Sequence, residues 1–228
     1  MTDKFECGFC KKGFIRERTL INHLCPKKRR WFNRDQKHVR LAFNSWLRWF
    51  EVTRTMPNSK KRTYKDFMDS KEYISFVKFG RHVENTKLVN PEQFIDFVIK
   101  NGYKLKDWTR DSVFEMYSKQ VCRNEDVQTA LNRFVHLIDQ WASENQEEWI
   151  DYFRKIQPGA ALHCIRTGRI SPWVLLNATT VDKLFERMSN EQRDIVDDFI
   201  DIRLWKIKFR KNPNDVNFVH KILKDYGI

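Results

Sequence analysis

Apolar residues recur at steps of three and four along most of the chain, the spacing that gathers them on one face of a helix. Val39, Phe43, Trp46, Leu47 and Phe50 form one such stripe, opened by Asn33 as an N-cap with Gln36 three residues on. Its polar side carries Arg34, Lys37, Arg40 and Arg48. Pro57 and Asn58 predict a turn, after which Phe67, Tyr73, Ile74, Val77 and His82 resume the pattern. Residues 90–102 are bracketed by helix signals, with Asn90 as N-cap, Pro91 at the first helical position and Gly102 past the end. Another helix is predicted from Thr109. The segment after Asn124 places Val127, Leu131, Phe134, Val135, Ile138 and Trp141 on one face. Residues 146–156 run to a predicted turn at Pro158-Gly159, and Ser171 caps a helix with Pro172 at its start. A capping box of Ser189 and Gln192 opens one long pattern through Ile195, Phe199, Ile202 and Trp205, and a last helix follows Pro213 with Val216, Val219 and Leu223. With only 7 Gly and 6 Pro in 228 residues, a turn-rich β protein is disfavoured. No repeat of fixed period appears. The expected fold class is all-α: a compact multi-helix domain of roughly eight to eleven helices behind a small N-terminal unit.

The first 26 residues do not share this pattern. Cys7 and Cys10 stand two residues apart, and after twelve more come His23 and then Cys25. That is metal-ligand spacing: a Cys-x2-Cys knuckle places two thiolates on one tetrahedral ion, and a helix from the other side supplies the rest. Phe14 and Leu20 complete the pattern Cys-x2-Cys-x3-Phe-x5-Leu-x2-His, in which the segment resembles the Cys2His2 zinc-finger family. The resemblance implies a ββα-type fold and a bound Zn2+. One departure concerns the last ligand, which the family places three to five residues after the first His. Here it would be Cys25, two residues on, and positions i and i+2 of a helix diverge. The helix is therefore expected to end at about Leu24, with Pro26 forcing Cys25 out of the α region and back toward the metal. His38 or a water are the alternative fourth ligands.

Charge sharpens the picture. The net charge is +13, and residues 1–40 hold 12 basic and 4 acidic side chains. Residues 121–200 hold 9 basic and 13 acidic ones, and the last 28 residues turn basic again. One end is therefore suited to polyanions. Three zinc-bound thiolates add only about −1, which leaves the basic character intact. Cys122 and Cys164 remain outside the finger, and a thiolate site suits a reducing interior. No apolar run is long enough to cross a bilayer, and no signal-peptide core is present. The expectation is a soluble intracellular protein, associated with nucleoid or nucleus, or in the host cytoplasm if viral.

These features converge on a non-enzymatic, zinc-dependent DNA-binding protein. The division expected is 1–26 as zinc finger, 27–62 as basic connector and basic amphipathic helix, and 63–228 as all-α domain. Lys11, Lys12, Lys27, Lys28, Arg29, Arg30, Arg34, Lys37 and Arg40 are the candidate phosphate contacts. If the family resemblance holds, its base-reading positions fall on Arg16, Arg18, Thr19 and Asn22, counting back from His23. The expected partners are nucleic acid, specifically double-stranded DNA, and a protein engaged by the helical domain. Two competing readings exist. One is a helical adaptor whose finger binds protein; the other is a metal-dependent nucleic-acid enzyme using the carboxylates of Asp194, Asp197, Asp198 and Asp201. A solvated helix face explains those carboxylates better. His163 and Cys164 are adjacent and so point about 100° apart on a helix, which disfavours a nucleophile pair. Residues 76–108 resemble stretches of uncharacterised tailed-bacteriophage proteins, a resemblance that implies a source and no activity.

Overall fold

A computed structural model of the protein describes residues 5–53 and 61–228. The Pro57-Asn58 turn and Lys60 lie outside the described residues. Two short strands, β1 (Phe5–Glu6) and β2 (Gly13–Phe14), pair antiparallel, and all other regular structure among the described residues is helical. The all-α expectation holds. Among the described residues the α-helices number fifteen, more than expected, because the patterns over residues 67–82 and 189–205 are each divided and residues 26–32, 158–166 and 181–187 form helices of their own. Among the described residues no helix is long and apolar enough to cross a membrane. The chain divides into two compact units, Met1–Thr109 and Arg110–Ile228.

In the first unit, α1 (Glu17–Ile21) and α2 (Pro26–Phe32) follow the hairpin, and α3 (Lys37–Thr53) is the organising helix. The stretch from Asn33 to Asp35 is a 3-10 turn, so α3 starts later than its Asn33 cap predicts. Gln36, extended at φ −65° and ψ 138°, instead presents its carbonyl to the Val39 and Arg40 N–H groups. Beyond residue 60 come α4 (Tyr64–Asp69), α5 (Tyr73–Thr86) and α6 (Pro91–Lys100). A capping box of Thr63 and Asp66 opens α4. α3 packs along α5 and α6; Val39, Ala42 and Trp46 of α3 are buried, as are Phe76 and Phe79 of α5 and Phe94 of α6, and Trp46 lies 5.4 Å from the Phe67 ring. Gly80 permits the approach of α5 to α3: a Cβ there would sit 2.1 Å from the His38 carbonyl oxygen. Arg48 forks onto Asp96 with bonds of 3.0 and 2.8 Å, which ties α3 to α6 and withdraws Arg48 from the basic surface.

The second unit holds α7 (Asp111–Asn124), α8 (Val127–Asn145), α9 (Tyr152–Lys155), α10 (Pro158–Arg166), α11 (Pro172–Leu175), α12 (Val181–Arg187), α13 (Asn190–Ile200), α14 (Ile202–Lys211) and α15 (Pro213–Asp225). Phe134, Ile138, Tyr152, Phe153, Ile165, Trp173, Leu184 and Trp205 belong to one continuous apolar core. Pro158-Gly159 is the first turn of α10 and not a connecting turn, consistent with proline at N1. The long helix predicted from Ser189 breaks at Asp201, whose left-handed φ of 53° ends α13. The Asp201 carboxylate then accepts from the Leu204 N–H, so one residue serves both helices. The break turns the buried face: Val196, Phe199 and Ile200 are buried, while Ile195 and Ile202 are exposed.

Candidate metal centre

The hairpin register, Phe5 opposite Phe14 and Glu6 opposite Gly13, leaves residues 7–12 as the turn. The Cys7 N–H donates to the Lys12 carbonyl at 3.0 Å and the Lys11 N–H to the Cys7 carbonyl at 2.9 Å. Lys11 closes the knuckle in the left-handed region, at φ 61°. Cys7 and Cys10 are thereby presented on one side of a tight turn. α1 then brings in His23, although it stops at Ile21, earlier than the expected Leu24, with Asn22 as its C-cap. Cys25 is extended, at φ −75° and ψ 161°, as the residue before a proline must be. It also caps α2: its Sγ accepts the Lys28 N–H at 3.3 Å.

The ligating atoms of Cys7, Cys10, His23 and Cys25 all lie within 4.8 Å of one another. Cys10 Sγ and His23 Nε2 are 3.2 Å apart. Cys7 is 2% exposed and Cys25 5%, while Cys10 and His23 are half-buried. The Phe14 ring lies 4.8 Å from that of His23 and holds it in place. The Cys10 and Phe9 backbone N–H groups hold the Cys7 thiol below its ordinary pKa. Cys10 experiences a lowering bond from the Lys12 backbone, yet burial and the neighbouring Cys7 and Cys25 sulfurs push it up overall. Crowded sulfurs of this kind are stabilised jointly by a cation. His38, the alternative ligand, faces Glu84 instead, with Nδ1 3.5 Å from Oε2. Among the described residues no other set of three or more Cys, His, Asp or Glu side chains converges in this way. Asp194, Asp197, Asp198 and Asp201 are exposed, and Asp201 is also paired with Arg123 at 3.6 Å. His163 is exposed while Cys164 is buried, so the two point apart. Cys122 and Cys164 are unbridged, and burial pushes the Cys122 thiol up to about 12.

The structure sorts the candidate phosphate contacts into two groups. Residues 27–30, expected as a connector, lie in α2, and three of their four side chains are engaged within the unit. Lys28 Nζ donates to the Ile21 and His23 carbonyls at 3.4 and 3.2 Å, closing the end of α1. Arg30 donates to the Met68 carbonyl at 2.6 Å and lies over the Tyr73 ring, while Lys27 pairs with Asp69 at 2.8 Å. Arg34 lies over the Trp31 ring and reaches Asp35. Lys11 pairs with Glu6 at 3.2 Å and Arg40 with Asp35 at 3.8 Å, both largely exposed and readily exchanged. In contrast, Lys12, Arg16, Arg18, Arg29 and Lys37 are exposed without an ion-pair partner among the described residues. Arg16 caps α1, Arg18 and Thr19 are its second and third residues, and Asn22 follows its end; all four are exposed.

The sequence reading missed a set of apolar side chains beside these cations. Ile15 is 60% exposed, Ile21 66%, Leu24 51% and Phe32 60%. Their signal was available, since each falls outside the Phe14 and Leu20 positions of the finger pattern. No family model matches the chain, and no curated protein or solved structure matches it. The likeness to zinc fingers therefore rests on the spacing and convergence of Cys7, Cys10, His23 and Cys25, and no match supports the resemblance of residues 76–108 to phage proteins.

Proposed function

We propose that Cys7, Cys10, His23 and Cys25 hold a structural zinc ion in a ββα-type finger, and that this finger, with α2 and the start of α3, binds double-stranded DNA. Zinc bonds of about 2.3 Å to sulfur and 2.0 Å to nitrogen require ligand atoms roughly 3.5–3.8 Å apart, so the widest separations in the cluster would shrink slightly and the Cys10–His23 pair would open slightly. Four protein ligands complete a tetrahedral shell and leave no position for a substrate, the arrangement of a structural site. The observation that supports the reading is the set of exposed cations without an ion-pair partner among the described residues, Lys12, Arg16, Arg18, Arg29 and Lys37, around a segment whose buried side chains are the candidate ligands Cys7 and Cys25. Phosphate binding supplies the affinity, and the resemblance to fingers assigns base reading to Arg16, just before α1, Arg18 and Thr19 within it, and Asn22, just past its end. The helical remainder recruits a protein partner, a role supported by the acidic excess over residues 121–200.

A second reading, in which the finger binds protein, draws on the exposed Ile15, Ile21, Leu24 and Phe32. Neutralising the cations separates the two. Replacing Arg16, Arg18 and Arg29 together by Gln is expected to weaken duplex binding and to lower the magnitude of the log–log salt slope by about 2–3, at about 0.9 per phosphate contact. Unchanged affinity and slope would transfer the finger to the protein-binding reading.

A further inference from the structure

The second unit carries a basic face that the finger does not account for. α14 contains Arg203, Lys206, Lys208, Arg210 and Lys211 and no acidic residue. Its inner side is anchored, with Trp205 1% exposed and packed edge-on against Trp173 at 5.5 Å. Lys208 belongs to that inner side: it lies over the Trp173 and Trp205 rings, and its Nζ donates to the Arg123 carbonyl at 2.8 Å. The outer side is different. Arg203, Lys206 and Arg210 fall at steps of three and four, and Lys211 stands four residues after Ile207, so the four cations share one broad face with Ile207, which is 54% exposed.

None of these four outer cations has an ion-pair partner among the described residues, whereas Arg123, Arg133, Arg154, Lys155, Arg166 and Lys183 of the same unit are all paired with carboxylates. Acidic side chains stand close by in sequence, on α13, yet the stripe is left unneutralised. Like charges at helical spacing repel, so an external polyanion would relieve the stripe. From Arg203 to Lys211 it runs about 12 Å, at 1.5 Å per residue, a length over which each duplex strand presents several phosphates. A membrane surface fits less well, because the apolar side of α14 is already spent on the core and only Ile207 and the partly exposed Ile202 remain outside.

We propose that the outer face of α14 is a second nucleic-acid-binding site, gripping the phosphodiester backbone through Arg203, Lys206, Arg210 and Lys211. The proposal rests on nucleic acid being the ligand of this protein but not on the finger being its binding site. The test uses the full-length, zinc-loaded chain, a short labelled duplex and phosphatidylserine vesicles. Three variants are compared with wild type: R203Q/K206Q/R210Q/K211Q, the charge-preserving R203K/K206R/R210K/K211R, and the finger set R16Q/R18Q/R29Q. Far-UV circular dichroism confirms that each remains helical. The Gln set is expected to lose about tenfold or more in duplex affinity at low salt and about 3 in salt slope, and the charge-preserving set to retain both. Loss in the α14 Gln set with the finger set unaffected supports this site and removes the finger from the binding surface. Loss in the finger set alone overturns this site and leaves the finger. Retained duplex binding with lost vesicle binding overturns it in favour of a membrane surface, and a wild type that does not bind duplex overturns both sites.

Discussion

Residues 5–25 bury only two side chains, Cys7 and Cys25, both metal-ligand candidates. Residues 110–228 bury Phe134, Tyr152, Phe153, Trp173, Leu184 and Trp205 in one apolar core. The contrast follows from size. A segment of about twenty residues cannot remove enough apolar surface from water to offset its conformational entropy, whereas a unit of over a hundred can. In the first case four soft ligands take the place of a core, and Phe14 and Leu20 are only half-buried beside them. Because so little of this segment is consumed by packing, its cations and apolar side chains are left exposed.

Removing the metal is the most severe way to break that contrast. Chelation, or Cys10→Ser, is expected to disorder residues 5–25, since structural zinc contributes about 10–16 kcal/mol of apparent binding free energy in such segments. Amide NMR should show those resonances collapsing while most helical signal persists; loss of the α7–α15 resonances as well would show that the two regions do not fold by separate means. Phe134→Ala tests the other side. It stacks on Phe153 at 5.7 Å in the apolar core, and its truncation should cost about 3–5 kcal/mol in denaturant unfolding, with cobalt absorption at the Cys/His cluster unchanged. Gly80→Ala sharpens the comparison within the first unit, where α3 and α5 are held by backbone proximity. The new methyl would meet the His38 carbonyl, and the expected cost is about 1–3 kcal/mol, read from the same denaturation curves.

Much of the helical architecture is legible because its boundaries are written in local chemistry. Pro91 and Gly102 bracket α6, and the Ser189–Gln192 box opens α13, because caps satisfy orphan backbone groups within a few residues. The Thr63–Asp66 box carried the same kind of signal for α4. Other features depend on partners far away in sequence. Nothing within residues 27–30 shows that Arg30 is aimed at the Met68 carbonyl or Lys27 at Asp69. The basic run therefore resembles a solvated connector until α2 is docked on α4. Asp201 shows a different limit: a non-glycine residue in the left-handed region leaves the apolar period intact on paper while redirecting the chain. At the metal centre, all four ligand candidates were readable from spacing, but the thiol cap of α2 was not. That cap needs the helix to restart immediately at Pro26, and sequence reasoning placed the next helix start at Asn33.

The most direct test of the finger as a metal-held grip on DNA is a salt titration of duplex binding, by fluorescence anisotropy, on the full-length protein before chelation, after it and after zinc is restored. The expected result is a steep negative log–log slope that becomes shallower by about 3–5 when the metal is removed, as the finger's contacts are lost, and recovers with zinc. Binding that is flat with salt, or a slope indifferent to chelation, would contradict it.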